Sequence, residues 1–97
     1  MKAPQECRNM AELRVEIDAL DRQLVALLAR RATYIDRATE LKPAEGLPAR
    51  IDDRVEAVVS KVRASAQETG LDADLAEALW RRLIDWSIAR EEQVLGR

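Results

Sequence analysis

The sequence predicts an all-α protein of three helices, the first of them very long, and three observations carry that reading. Apolar residues recur at three-to-four spacing along most of the 97 residues, no segment alternates with period two, and only three Gly and three Pro punctuate the chain. The composition agrees: 47% apolar and 35% charged, rich in Ala, Leu, Arg, Glu and Asp, with 3% aromatic residues and no Phe, a profile that suits long helices. Residues 1–97 make one domain, and a chain this short buries only about 60 to 65% of its unfolded surface. A monomeric core of that size is marginal, so association with a second copy is expected.

The first helix is carried by Met10, Leu13, Ile17, Leu20, Leu24, Leu27, Leu28, Tyr34, Ile35, Ala38 and Leu41, with Asn9 as its N-cap and Pro43 as its stop. It is a helix of about 32 residues, near 48 Å at 1.5 Å per residue, against about 25 to 30 Å for a compact domain of this length. Such a helix overhangs its own domain and calls for a partner along its length. The stretch KPAEGLPAR, with Pro43, Gly46 and Pro48, is a loop. The second helix runs from about Pro48 to Thr69 with Ile51, Val55, Val58, Val59, Val62 and Ala66 on one face, and Gly70 ends it. Asp72 caps the third helix, which continues to about Leu95. Leu75, Leu79, Leu83 and Trp86 share one row of it, and Trp80, Ile84, Ser87, Ile88 and Glu91 occupy the neighbouring rows.

Several function classes are excluded early. Sixteen Lys and Arg against eighteen Asp and Glu leave a net charge of −2, so there is no overall basic field for nucleic acid. Cys7 is the single cysteine, the start MKAPQECRNMAELR has no apolar signal region, and no run approaches a membrane span; a cytoplasmic protein with no membrane role is expected. With no His, hydrolase triads and His-containing zinc sites are ruled out, and one Cys rules out cysteine clusters.

What remains is a set of polar residues in apolar rows. On the first helix the row Met10, Arg14, Ile17, Asp21, Leu24, Leu28, Arg31, Ile35, Ala38, Lys42 mixes apolar residues with cations. Arg14 and Lys42 can be read as solvated ends whose stems cover apolar neighbours. Arg31 sits mid-stripe, where a guanidinium is costly without an anionic partner. Asp21 is about 15 Å away along the same helix and cannot reach it, so another segment or a ligand supplies the anion. Arg31 and Lys42 are about 16 Å apart at nearly the same azimuth, close enough for two long side chains to converge on one small ligand. Arg14 is about 26 Å from Arg31; to join the same pocket it must arrive from the second copy of an antiparallel dimer. On the third helix Ser87 and Glu91 stand one turn apart on the inward face. Alone, a Ser there bonds back to its own helix and a Glu near a helix end is solvated, and Arg54 in IDDRV ordinarily sits on the surface. Together these cations and polar groups make a donor-rich pocket with almost no base, suited to a dianion whose reaction needs positioning and electrostatics rather than proton abstraction.

The segments that carry a further likeness are MKAPQEC, LRVEIDALDRQLVALLARR through Arg31, LK ending at Lys42 before the loop, DRV at Arg54, GLDA at the third helix entry, and IDWSIAREEQ near the end. Over nearly its whole length the chain resembles the all-helical chorismate mutases and, among them, the isochorismate-pyruvate lyase branch. The resemblance implies an intertwined helical homodimer with two equivalent sites, each completed by Arg14 of the other chain. It implies that Arg31 and that Arg14 hold two carboxylates, that Lys42 contacts a carboxylate and the ether oxygen, and that Glu91, where many members have Gln, is the second donor to that oxygen. Arg54 and Ser87 flank the pocket.

The reaction implied is the pericyclic rearrangement of chorismate to prephenate, in aromatic amino acid biosynthesis. The alternative is elimination of pyruvate from isochorismate to give salicylate, and a non-catalytic helical dimeric regulatory module is a reading of another class. No cofactor and no metal are implied. Two positions depart from the family pattern. Ile51 and Val55 stand where bacterial mutases of this class commonly place acidic residues for the ring hydroxyl, unless Asp52 or Asp53 substitutes, and the change leans toward the lyase branch. Glu91 can donate to an ether oxygen only when protonated.

Overall fold

The computed structural model describes residues 1–97, and the all-helical expectation holds throughout: a 3-10 turn at Pro4–Glu6 precedes α1 (Met10–Glu45), α2 (Asp52–Thr69) and α3 (Ala73–Leu95), with no strand. The chain divides into two compact units, residues 1–34 and 35–97.

In the first unit, Asn9 caps α1 as the sequence predicts: its Oδ1 accepts a hydrogen bond from the Glu12 backbone N–H at 2.9 Å, satisfying one of the orphan donors of the first turn. Glu12 reaches back in turn. Its carboxylate accepts from the Arg8 backbone N–H at 3.0 Å and from Arg8 Nη2 at 3.0 Å, with Lys2 Nζ at 3.2 Å. No residue of this unit is buried. The leucine stripe predicted for the first helix is present but uncovered, with Ile17, Leu20, Leu24, Leu27 and Leu28 all at least 40% exposed.

In the second unit, α1 passes the expected stop at Pro43 and continues to Glu45. Proline lacks an N–H and forfeits one helical hydrogen bond, a small loss when only two residues follow. The stop is Gly46, at φ 69°. Its N–H donates to Pro43 O at 3.1 Å and the Leu47 N–H donates to Lys42 O at 3.0 Å, the paired bonds of a Schellman cap that only a left-handed residue allows. The second helix likewise starts later than Pro48, at Asp52. Ile51 is extended at φ −127°, ψ 103°, so helical geometry begins only after it. Ala49 is also committed elsewhere, donating its N–H to Arg97 O at 3.2 Å and accepting from Lys42 Nζ at 2.8 Å. The boundary between α2 and α3 falls where predicted: Gly70 is left-handed at φ 80°, and Asp72 Oδ1 accepts from the Asp74 and Leu75 N–H groups at 2.8 and 3.2 Å.

The two helices form an antiparallel hairpin around Val59, Ile84 and Ile88, with Ala49 buried beside them and Val55, Val58 and Leu95 packed against the group. Ion pairs run along its edge: Arg81 to Glu56 and Glu77, Arg63 to Asp74 and Glu77, Arg50 to Asp85. The row Leu75, Leu79, Trp86 lies outside this core, each residue at least 43% exposed, while burial follows Ala76, Ile84, Ser87, Ile88 and Glu91. No helix is long and apolar enough to cross a membrane.

The Arg8 guanidinium and backbone N–H, aided by Lys2, hold the Glu12 carboxyl at about 2, well below the usual carboxylate value of 4.5. A depressed folded-state value stabilises the cap above pH 4.5 and withdraws that support as pH falls toward 2. Carboxyl NMR titration of Glu12 is expected to give a midpoint near 2, with faster amide exchange in the first turn of α1 below it; a midpoint at the ordinary value would show that the reciprocal cap does not form.

Candidate active site

The last turn of α1 carries Lys42 and the last turns of α3 carry Ser87 and Glu91. Lys42 reaches inward past the Schellman cap. By reversing the chain at Gly46, that cap brings the Ala49 carbonyl over the helix end, where it accepts the ammonium's hydrogen bond at 2.8 Å. Glu91 approaches from α3, its Oε1 also 2.8 Å from Lys42 Nζ, and the two side chains are only 6% and 16% exposed, the glutamate the deeper. The angle at this contact is poor: Oε1 has the ammonium as a charge neighbour but receives no directed hydrogen bond. A buried acceptor in that condition is costly, and an ammonium has three donors, so the pair keeps unspent hydrogen-bonding capacity on both sides.

Ser87 lies one turn before Glu91 on the same face and is 3% exposed. Its Oγ donates to Leu83 O at 2.8 Å, the bond back to its own helix that a lone serine is expected to make. Arg54 is in the first turn of α2 and exposed. Beside that turn an open cleft of about 210 Å³ is walled by Val55 and Ile84, with Asp52 and Arg81 among its polar residues. Ile51 and Val55 are half-buried, whereas Asp52 and Asp53 are exposed. In the unit of residues 1–34, Arg31 is half-buried and Arg14 is exposed. Of the predicted site residues the structure thus brings Lys42 and Glu91 into contact and puts Ser87 beside Glu91.

Two contributors had no signal in the sequence. The Ala49 carbonyl is a backbone group whose position depends on the turn at Gly46. The second is a link between α1 and α3 next to the pair: Arg90 donates to Asp36 through Nε at 2.6 Å and Nη2 at 3.0 Å, and the residues are 54 positions apart.

Chemically, the pair offers a fixed ammonium, a carboxyl that serves as acceptor or, once protonated, as donor, and a largely dry setting in which both act more strongly than in water. No nucleophile of ordinary reactivity stands with them. The arrangement suits stabilisation of negative charge on an oxygen atom.

Comparison with known proteins gives the same direction. Residues 13–92 match the family model described as chorismate mutase type II. The chain is 37% identical over 92 residues to the isochorismate pyruvate lyase of Pseudomonas aeruginosa, covering 94% of this chain and 89% of that protein. It is 37% identical over 84 residues to a T-protein of Haemophilus influenzae, covering 87% of this chain but only 22% of that longer protein. Against the chorismate mutase of Methanocaldococcus jannaschii it is 26% identical over 87 residues, covering 90% of this chain and 88% of that one. With the family model spanning both Lys42 and Glu91 and a relative of this similarity matched almost end to end, the chain belongs to the chorismate mutase type II family of enzymes.

Proposed function

We propose that the protein is a chorismate mutase, catalysing the pericyclic rearrangement of chorismate to prephenate by positioning and electrostatic stabilisation alone. The observation that carries the reading is the buried Lys42–Glu91 contact, which holds an ammonium with donors for a ligand oxygen in a nearly dry setting. In the rearrangement the ether C–O bond breaks as a C–C bond forms within one cyclic array of electrons, so no proton, nucleophile or cofactor enters. Negative charge grows on the ether oxygen as the bond lengthens. Lys42 donates to that oxygen and to a substrate carboxylate, and Glu91, protonated, donates from the other side. Arg31 and Arg14 of the partner subunit take the two carboxylates, with Arg54 and Ser87 flanking the ligand. This division of roles rests on the family resemblance and on residue spacing along the sequence. Aligned donors fixed before the reaction need no reorganisation as charge develops, and holding the enolpyruvyl arm over the ring supplies the rest.

A homodimer belongs to the same proposal. The exposed leucines of α1 and the uncovered Leu75, Leu79 and Trp86 of α3 are apolar surface of the kind a second copy buries. A second reading, isochorismate-pyruvate lyase, is favoured by Ile51 and Val55, which put half-buried aliphatic side chains where a ring hydroxyl would seek a carboxylate. The full-length similarity to a lyase supports it too.

Purified protein offered each substrate separately decides between them: prephenate from chorismate is expected, salicylate fluorescence from isochorismate selects the lyase, and neither product defeats both. Replacing Lys42 by Ala is expected to lower kcat by roughly 10² to 10³, the usual loss for one charge-stabilising donor.

Glu91→Gln keeps a donor at this position and is expected to retain activity, whereas Glu91→Ala should lower kcat by roughly 10². An Ala variant as active as the parent removes Glu91 from the ether oxygen.

Shared sites are tested by complementation. Arg14→Ala and Arg31→Ala dimers, each inactive, are expected to regain activity when unfolded and refolded as a mixture, because a mixed dimer contains one site with both arginines intact. Mixtures as inactive as their components show that both arginines serve a site from one chain.

A further inference from the structure

We infer that Asp36 and Arg90 form a clamp that sets the placement of Lys42 against Glu91, making both of them positioning residues for the reaction; the inference rests on the functional reading above. Arg90 presents its fork to Asp36 with Nε to Oδ1 at 2.6 Å and Nη2 to Oδ2 at 3.0 Å. A two-bond pairing of planar groups fixes direction and rotation as well as distance. Behind it, the Trp86 ring one turn earlier on α3 lies 5.2 Å from the guanidinium carbon, which limits the side chain on its other face. The guanidinium holds the Asp36 carboxyl below its ordinary value, so the pair stays charged across neutral pH.

Position gives this surface pair its consequence. Asp36–Arg90 and Lys42–Glu91 are two ion pairs that join α1 to α3; Arg63 and Arg81 tie α2 to α3, and Arg50 reaches α3 from the loop before α2. Arg90 and Glu91 are consecutive, turned about 100° from each other on α3, and their partners are six residues apart on α1, about 9 Å along the axis. The end of α3 is therefore attached to the end of α1 at two heights and two azimuths. Rotating α3 to loosen the outer contact swings Glu91 away from Lys42. The outer side chains are 44% and 49% exposed, a setting in which ion pairs contribute little to stability. Its value lies in geometry, where a displacement of about 1 Å at the reacting centre costs up to about a hundredfold in rate.

The test uses full-length protein with Asp36→Asn, Arg90→Gln and the swapped pair Asp36→Arg/Arg90→Asp, and reads kcat, KM, melting temperature and the reductive methylation of each lysine by mass spectrometry. Each single change is expected to lower kcat roughly tenfold with KM held within about twofold, and to shift melting by only a few degrees. Methylation of Lys42 should rise several-fold relative to Lys2 and Lys61, and the swapped pair should restore both kcat and protection. Glu40→Gln, which breaks the more exposed Arg37–Glu40 pair inside α1, should leave both readouts unchanged. Unaltered kcat and Lys42 labelling in the single variants, or a loss that follows melting and is not restored by the swap, overturns the clamp. Should the parent protein turn over neither chorismate nor isochorismate, the functional reading fails separately, and Lys42 labelling still decides whether the clamp places that side chain.

Discussion

A lysine and a glutamate held 2.8 Å apart and nearly out of solvent are the constraint around which the C-terminal unit is organised. Two charges removed from water recover their solvation only if the geometry is good and further partners share the load. Lys42 obtains one such partner in the Ala49 carbonyl, and that carbonyl is available because Gly46 takes a left-handed conformation and the chain folds back over its own helix. Glu91 obtains less: its Oε1 has charge nearby but no donor aimed at it. The pair is thus anchored on the lysine side and under-satisfied on the glutamate side. The capacity that a ligand's oxygen atoms can use lies on the lysine side, because an ammonium carries three donors whereas a carboxylate only accepts.

The surrounding core shows the cost of this choice. Thr39, Ser87 and Glu91 are buried alongside Ala49, Val59, Ala66, Ala76, Ile84 and Ile88, and no large side chain in the chain is fully enclosed. Apolar burial at about 25 cal/mol per Å² has little area to act on in such a core. Meanwhile leucines stand exposed along α1 and α3. The two facts belong together: a chain that spends interior positions on polar groups and leaves apolar rows uncovered gains most of its missing burial by pairing with another copy, which is how the proposed dimer accounts for both.

Much of this was legible in the sequence because helices announce themselves locally. The three-to-four spacing, Asn9, Gly70 and Asp72 are signals read within one turn, and each falls where the structure puts it. The errors came from competition between local signals. Pro43 reads as a stop, yet Gly46 supplies the better one three residues later; Pro48 reads as a helix start, yet Ala49 is held by Lys42 and Arg97, contacts that no local pattern encodes. The inward placement of Ser87 and Glu91 was readable as polar residues in an apolar row. Leu75, Leu79 and Trp86 fit a buried row equally well in sequence, because periodicity identifies an apolar face without saying which neighbour covers it. The Asp36–Arg90 link was invisible for a related reason: exposed acids and bases are common on helices, and only the fold selects which two meet.

The identity of residue 91 bears on how the site divides its work. An amide there would donate to an ether oxygen at any pH, but it would leave Lys42 without a counter-charge in a pocket already expected to gather arginines for a dianion. A carboxylate balances the ammonium while the site is empty and lessens the mutual repulsion of the cations. On the proposed reading the dianion's own carboxylates take over that balancing when it binds. The acid at position 91 thus holds the ammonium in place before a ligand arrives, something a neutral amide cannot do by charge.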